Sequence, residues 1–181
     1  MRDNAAGADN QQERPISEAI PEDIGWYLAG FADGEGSFNV STVNRNRDYR
    51  SGWKIVLTFN ISQRDHTVLE LFQNIFQCGT LRDRGDGVGY FDVRRISDIT
   101  RIVIPFFERF PLKSQTKRKQ FEVFREIAYL MRDRAHLTRD GLAHILTLRD
   151  QIKVARQRKY TSERILSTFR SRNPQRLYAE P

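Results

Sequence analysis

Four short segments of alternating sequence carry side chains that could read the bases of nucleic acid. Each segment places apolar residues at every second position, as a β-strand with one buried face requires. The intervening positions would share the open face of a sheet, and they combine short polar groups with arginine, lysine and tyrosine. Such groups contact base edges in the major groove. The predicted DNA-binding set is Asn39, Ser41, Lys54, Thr58, Asn60, Ser62, Thr80, Arg82, Arg84, Tyr90, Asp92 and Arg94.

The charge of the chain favours DNA contact over mere solvation of that polar face. The 181 residues include 30 Lys+Arg and 23 Asp+Glu, which gives a net charge of +7 and a pI near 9.8. The first 23 residues hold two basic and six acidic groups, which leaves 28 basic against 17 acidic groups, or +11, for the rest. A surface that positive indicates a polyanionic partner, most often nucleic acid; the alternative is a solvated sheet face, which is polar in any case. The loop residues Arg45 and Arg47 are expected to add contacts to the backbone or outer bases of double-stranded DNA.

The elements that must position these side chains follow from the spacing of apolar residues. The predicted order α-β-β-α-β-β-α, followed by further helices, indicates an α+β fold whose antiparallel sheet buries one face under helices. Asp23 is expected to cap the first helix, and glycines 34 and 36 to end it. We predict a flexible leader at 1–20, one domain at 21–170 and a basic tail at 171–181. The predicted strands lie near 38–43, 53–62, 79–84 and 89–94, and the predicted helices at 21–35, 65–76, 97–107, 116–133, 142–152 and 162–169.

Several other kinds of chemistry are disfavoured by the same sequence. One cysteine, Cys78, excludes a disulfide framework and a Cys-rich zinc site. The three histidines His66, His136 and His144 lack the spacing of a metal site. No apolar run has the length that spans a bilayer, and the first residues are polar and acidic. We expect an intracellular protein of a bacterial cytoplasm or an organelle, with no membrane partner and no small-molecule cofactor.

The most specific pattern is the segment LAGFADGEGSF at residues 28–38. Gly30 and Gly34 are four residues apart on a helix, so a second copy of the helix could approach with its backbone nearly in contact. We predict that Ala29, Gly30 and Asp33 lie at an interface between two copies. The alternative is an ordinary buried helix that ends in glycine. The segment resembles the signature helix of the LAGLIDADG homing endonucleases.

Other stretches are similar to the same family and occur in the expected order. The resemblance extends over about residues 22–170. It implies the αββαββα homing endonuclease fold, with the sheet as a DNA-binding saddle, and a homodimer with one signature helix per chain. The stretches are LTFNISQ at 57–63, CG at 78–79, FFERFPL at 106–112, KRKQF at 117–121 and HLTRDGL at 136–142.

The resemblance also implies a catalytic set. The two Glu35 carboxylates of a dimer would meet and, with the Gly34 carbonyl and DNA phosphates, bind Mg²⁺, for which Mn²⁺ is expected to substitute. Gln63 would hold the attacking water, and Lys117 would offset charge on the scissile phosphate. Asp33 is expected to be a structural acid rather than a metal ligand.

Alternatives remain for two of these roles. Gln63 could be a simple strand-end residue, and Lys117 a solvated helix residue whose place is taken by Lys113, Arg118 or Lys119. The family often has a basic residue shortly after the glutamine. The matching position in this chain is Thr67, or Arg64 takes its place.

The implied function is site-specific, metal-dependent cleavage of both strands of DNA, at a long pseudo-palindromic site, leaving 3′ overhangs. Two alternatives stand beside it. One is an RNA maturase that assists intron splicing, and the other is a noncatalytic DNA-binding regulator on the same fold. The presence of Glu35 and Gln63 argues against a purely binding role.

Overall fold

The computed structural model describes residues 20–45, 52–152 and 158–169. Its element order confirms the predicted α+β class. Arg47, the leader except Ile20, and the tail at 171–181 lie outside the described residues. The elements are α1 (Glu22–Glu35), β1 (Gly36–Asn44), β2 (Trp53–Gln63), α2 (Thr67–Phe76), β3 (Thr80–Asp83), β4 (Gly89–Val93), α3 (Ile96–Asp98), a π-helical segment (Ile99–Val103), α4 (Ile104–Arg109), α5 (Gln115–Arg132), a 3-10 helix (Ala135–Leu137), α6 (Arg139–Gln151) and α7 (Ser162–Ser167).

The four strands form one antiparallel sheet in the order β1-β2-β4-β3. The β1–β2 pair runs from Gly36 opposite Ile61 to Asn44 opposite Trp53. Directly paired residues of antiparallel strands point to the same face of the sheet. The period-two alternation of the sequence therefore produces one apolar and one polar face, as expected.

Phenylalanine side chains fill the space between the apolar face and the helices. The ring centroid of Phe38 lies 5.2 Å from that of Phe59 and 5.3 Å from that of Phe107. Such edge-to-face and tilted ring packing holds the sheet against the helices that cover it. Ile20 is 5% exposed and belongs to the same core, although it was expected to end the leader. Among the described residues, the buried phenylalanines are Phe38, Phe59, Phe72, Phe76, Phe91, Phe106, Phe107, Phe110, Phe121, Phe124 and Phe169.

The predicted helix at 97–107 forms, but with a wider turn in the middle. The π-helical segment Ile99–Val103 separates α3 from α4, and Pro105 follows in the first turn of α4. Proline has no backbone N–H to donate, so a local change of hydrogen bonding accommodates it. The run ends at Phe110, whose ring occupies the space beside Gly25 of α1.

The two ends of α1 differ from the expectation. The N-cap is Pro21 rather than Asp23. Asp23 lies inside the first turn, where its negative charge interacts favourably with the positive end of the helix dipole. Gly36 ends the helix by adopting extended backbone, and a Cβ there would lie 2.6 Å from the Ala32 carbonyl oxygen. Gly34 is still helical. The helix therefore passes straight into β1 with no intervening loop.

Among the described residues, no helix combines the length and the apolar character needed to cross a bilayer.

Candidate active site and nucleic-acid interface

The end of α1 brings together the three residues predicted to be catalytic. Glu35 is the last residue of α1 and is exposed. Its carboxylate makes no hydrogen bond or ion pair within the described part of the chain. The ammonium of Lys117 donates a hydrogen bond to the carbonyl oxygen of the next residue, Gly36. Gly36 pairs with Ile61, two residues before Gln63. Glu35, Gln63 and Lys117 thus share one end of the β1–β2 pair.

Asp33 fixes the position of the helix that carries Lys117. Its Oδ2 accepts hydrogen bonds from the backbone N–H groups of Lys113 and Ser114, each at 2.9 Å, and its Oδ1 accepts one from the Ser114 hydroxyl at 2.6 Å. Ser114 is the N-cap of α5, and Lys117 lies in the first turn of that helix. Asp33 is therefore bound within its own chain, and its predicted place at the interface between copies stays a prediction.

The hydrogen bonds at Asp33 also determine its protonation. Partial burial acts to raise the pKa of this carboxyl, but the bonds from Ser114 and Lys113 and the charge of Lys117 outweigh burial and hold the pKa below its ordinary value. A carboxyl whose pKa is lowered on folding stabilises the fold in its ionised form. Its contribution is complete above the pKa of the unfolded state and is lost as pH falls through the folded-state pKa.

We expect Asp33→Ala to lower the free energy of unfolding by about 1–2 kcal/mol at neutral pH, because two backbone donors and a hydroxyl lose their acceptor. The difference from wild type should shrink below about pH 4, as the wild-type carboxyl is protonated. Denaturant unfolding at several pH values measures both effects. Asp23→Ala removes an acid from the same helix without these contacts and serves as the control. Equal stabilities of wild type and Asp33→Ala at neutral pH would contradict the assigned role.

One side of α1 is left uncovered by the other residues that the structure describes. Trp26 is 41% and Tyr27 54% exposed, and a Cβ built on Gly30 or Gly34 meets nothing within 4 Å. Ala29 is only 2% exposed, because it lies on the side of the helix that faces the core. The interface prediction is therefore wrong for Ala29, which has no surface left for a second copy. It stays open for Gly30, which lies on the uncovered side.

The polar face of the sheet assembles from the predicted side chains. Asn39 pairs with Thr58, Asn60 with Asp92, and Arg82 with Tyr90. The register adds Lys54, Ser62 and Thr80 to the same face, and Arg45 follows the end of β1. Their contact with DNA stays a prediction. A shallow depression of about 520 Å³ is lined by Asn39, Ser41, Thr58, Asn60, Arg82, Asp83, Arg84, Tyr90, Asp92 and Arg94.

Three further residues of this face escaped the prediction. Ser37 pairs with Asn60, Val43 with Lys54, and Val56 with Ser41. Val43 is 41% exposed, which is unusual for a valine within a strand. The alternation of the sequence already places all three with the polar set. The two valines are left out of the predicted DNA-binding set because they are apolar. An apolar side chain can nevertheless contact the methyl group of thymine.

The oxygen donors at the end of α1 suit a hard divalent cation but are incomplete in one chain. The Glu35 carboxylate and the Gly34 carbonyl are of the type that Mg²⁺ prefers, and Mg²⁺ takes about six such ligands. Within the described residues, no group of three or more His, Cys, Asp or Glu side chains lies close enough together to hold a metal. The two donors fall short of six, so a cation held here would need further oxygen ligands.

Cys78 does not take part in this site. It is half-buried, and burial together with the charge of Asp98 raises the pKa of its thiol to about 11. A thiol with so high a pKa carries almost no thiolate at neutral pH, and it is inert as a nucleophile.

The solved structures to which this chain is similar include homing endonucleases. The homing endonuclease I-TnaI is 34% identical, with a TM-score of 0.67 over 78% of this chain and 92% of its own. The archaeal intron-encoded homing endonuclease I-Vdi141I, solved in complex with DNA, is 26% identical, with a TM-score of 0.74 over 82% of this chain and 96% of its own.

The family model of the LAGLIDADG endonucleases matches residues 28–128. The chain belongs to this family, which confirms the interpretation of its signature segment. The probable intron-encoded endonuclease 2 of Neurospora crassa is 33% identical over 133 residues, which are 66% of this chain and 27% of the relative. The chain spans about a quarter of the length of that protein. It also spans about a quarter of a second relative, a 50.9 kDa protein in ND4 intron 1 of Podospora anserina.

Proposed function

We propose that this chain is a site-specific homing endonuclease that acts as a homodimer and hydrolyses both strands of DNA. It would cut a long, pseudo-palindromic site and leave 3′ overhangs. The observation that carries the proposal is the meeting of α1, β2 and α5 at one end of the sheet. An unpaired carboxylate, an amide and an ammonium lie there, at the border of a basic, polar face.

Dimer formation is supported by the uncovered side of α1. Gly30 and Gly34 leave room for close approach of a second helix, and Trp26 and Tyr27 offer apolar area to bury. A two-fold axis along this side would bring both Glu35 carboxylates together at the centre. The sheets of the two copies would then lie in successive major grooves of one DNA duplex.

The proposed roles of the catalytic residues are those that the resemblance to the LAGLIDADG family implies. Glu35 and the Gly34 carbonyl would hold Mg²⁺, or Mn²⁺ in its place, which supplies activation of water and stabilisation of the leaving oxygen when bound with the DNA phosphates. The Gln63 amide would orient the attacking water. The ammonium of Lys117, held beside Glu35 by the Gly36 carbonyl, would stabilise negative charge that develops on the scissile phosphate.

The relatives also bear on where the protein works. Because the Neurospora crassa relative is described as a probable intron-encoded endonuclease, we infer that the gene of this chain also lies in an intron. The protein would then act in the compartment that holds that intron, a bacterial cytoplasm or an organelle.

A cleavage selection on a randomised duplex library tests the proposed function. With Mg²⁺ or Mn²⁺ present, we expect recovery of one long, near-palindromic site, and no product in excess chelator. A folded dimer that binds one duplex sequence but cuts nothing would support the regulator alternative instead. Specific binding of structured RNA without DNA cleavage would support the maturase alternative.

A further inference from the structure

A buried acid lies at the centre of the otherwise basic β3–β4 part of the polar face. The Asp92 side chain is 8% exposed. Its Oδ2 lies 2.8 Å from Nη2 of Arg82 and 2.9 Å from Nη2 of Arg94. The two arginine side chains are about half exposed, at 49% and 52%. One carboxylate oxygen thus binds two guanidinium groups whose outer edges face solvent.

An acid at this place is unfavourable for simple attraction to DNA. Its charge repels phosphates, and a neutral side chain would leave the face more positive. The burial of Asp92 beneath the two arginines also requires that its charge remain compensated. The arrangement therefore needs a reason other than total charge.

The reason lies in how arginine recognises a base. A guanidinium carries several N–H donors in a planar fork, so each arginine keeps donors for an outside ligand after it binds Asp92. An arginine fork that is already oriented loses less side-chain freedom on binding. The preferred base partner of such a fork is guanine, through its O6 and N7 atoms.

We propose that Asp92 is a positioning residue for DNA recognition, which holds Arg82 and Arg94 in fixed orientations so that they read neighbouring guanines. This inference rests on the proposed function, because it concerns how the same face selects its DNA. It assigns Asp92 no direct base contact, in contrast to the sequence-based expectation. Asp92 contributes sequence selectivity at the expense of general affinity.

The chain offers a matched control for the charge of Asp92. Asp83 belongs to the neighbouring strand β3, and its side chain is 77% exposed. The Oδ1 atom of Asp83 lies 3.5 Å from Nε2 of His66. Asp83→Asn therefore removes the same charge from the same hairpin without releasing Arg82 or Arg94.

The test is a binding selection from a randomised duplex library, run in parallel on wild type, Asp92→Asn and Asp83→Asn. We expect Asp92→Asn to lose roughly 10-fold in preference for guanine at each of two base pairs. Both variants should bind nonspecific DNA more tightly at low salt, since each lacks one negative charge. Only Asp92→Asn should lose selectivity.

A measurement without DNA covers the case in which Asp92→Asn alters the fold. NMR relaxation of the arginine Nε–H groups in wild type should show Arg82 and Arg94 more ordered than the exposed Arg64. Mobility of both equal to that of Arg64 would overturn the inference. So would equal guanine preferences in wild type and Asp92→Asn. If either result overturns the role of Asp92 but the wild type still selects and cuts DNA, the proposed function stands. A wild type that selects no DNA sequence overturns both the role of Asp92 and the proposed function.

Discussion

Glu35→Gln is expected to abolish DNA cleavage and to leave DNA binding and dimer formation intact. The amide keeps the size of the side chain but removes the anionic oxygen that would bind the metal. Loss of roughly 4 kcal/mol of transition-state stabilisation corresponds to about a 10³-fold lower rate. Because Glu35 is exposed and its carboxylate makes no hydrogen bond or ion pair within the described part of the chain, the fold should not change. The measurement is the single-turnover cleavage rate on the selected site, beside the binding affinity for the same duplex.

Two variants serve as controls for this prediction. Glu22→Gln removes an equivalent charge from the other end of α1 and should cut at the wild-type rate. Glu35→Asp retains a carboxylate on a shorter side chain and should recover part of the activity. Normal cleavage by Glu35→Gln would refute the catalytic assignment. Loss of binding along with cleavage would show instead that Glu35 serves DNA contact or assembly.

If the proposed dimer forms through α1, Gly30→Gln is expected to convert it to a folded monomer that does not cut both strands. A Cβ at position 30 meets nothing within 4 Å among the described residues, so a glutamine side chain there would project from the uncovered side of α1 into the proposed second copy. The substitution occurs twice in a dimer, and we expect dimerisation to weaken by at least roughly 100-fold. Analytical ultracentrifugation over a range of concentrations measures this change.

The monomer itself should not suffer from the same change. Glycine inside a helix costs about 1 kcal/mol relative to a good helix former, so Gly30→Gln should leave the stability of the monomer equal or higher. Gly25→Ala is the opposite case, because its Cβ would lie 2.1 Å from Cζ of the buried Phe110 ring. Overpacking there should destabilise the chain by about 1–3 kcal/mol. A Gly30→Gln protein that remains a tight dimer would place the interface elsewhere.

The local patterns of the sequence predicted the elements and the polar face because both depend on neighbouring residues. Residues 53–62 alternate between apolar and polar except at Val56, and they form most of the central strand β2 with its apolar side in the core. The signature segment likewise predicted the helix end at which Glu35 lies. Antiparallel pairing then required no further information to collect residues such as Asn39 and Thr58 on one side.

Contacts between distant parts of the chain left no such pattern. Asp33 binds Ser114, 81 residues away in sequence, and neither residue type indicates that partner. The same holds for the contact of Lys117 with Gly36. The role of Asp92 depends on the pairing register of β3 and β4 and on which arginines reach its carboxylate. A strand pattern gives the face of a residue but not its hydrogen-bond partners.

The direct junction of α1 and β1 connects the proposed catalytic residue Glu35 to a strand that is proposed to contact the DNA bases. Glu35 and the strand residues that follow it are parts of one uninterrupted backbone, and Gly36 is held against Ala32 with no room for a side chain. Insertion of one residue at Gly36 would turn every β1 side chain to the other face. Individual side chains of the polar face, by contrast, can be exchanged without shifting this spacing. Under the proposed function, substitutions on the polar face would change the recognised bases one at a time, while the distance from the scissile bond to those bases would stay constant.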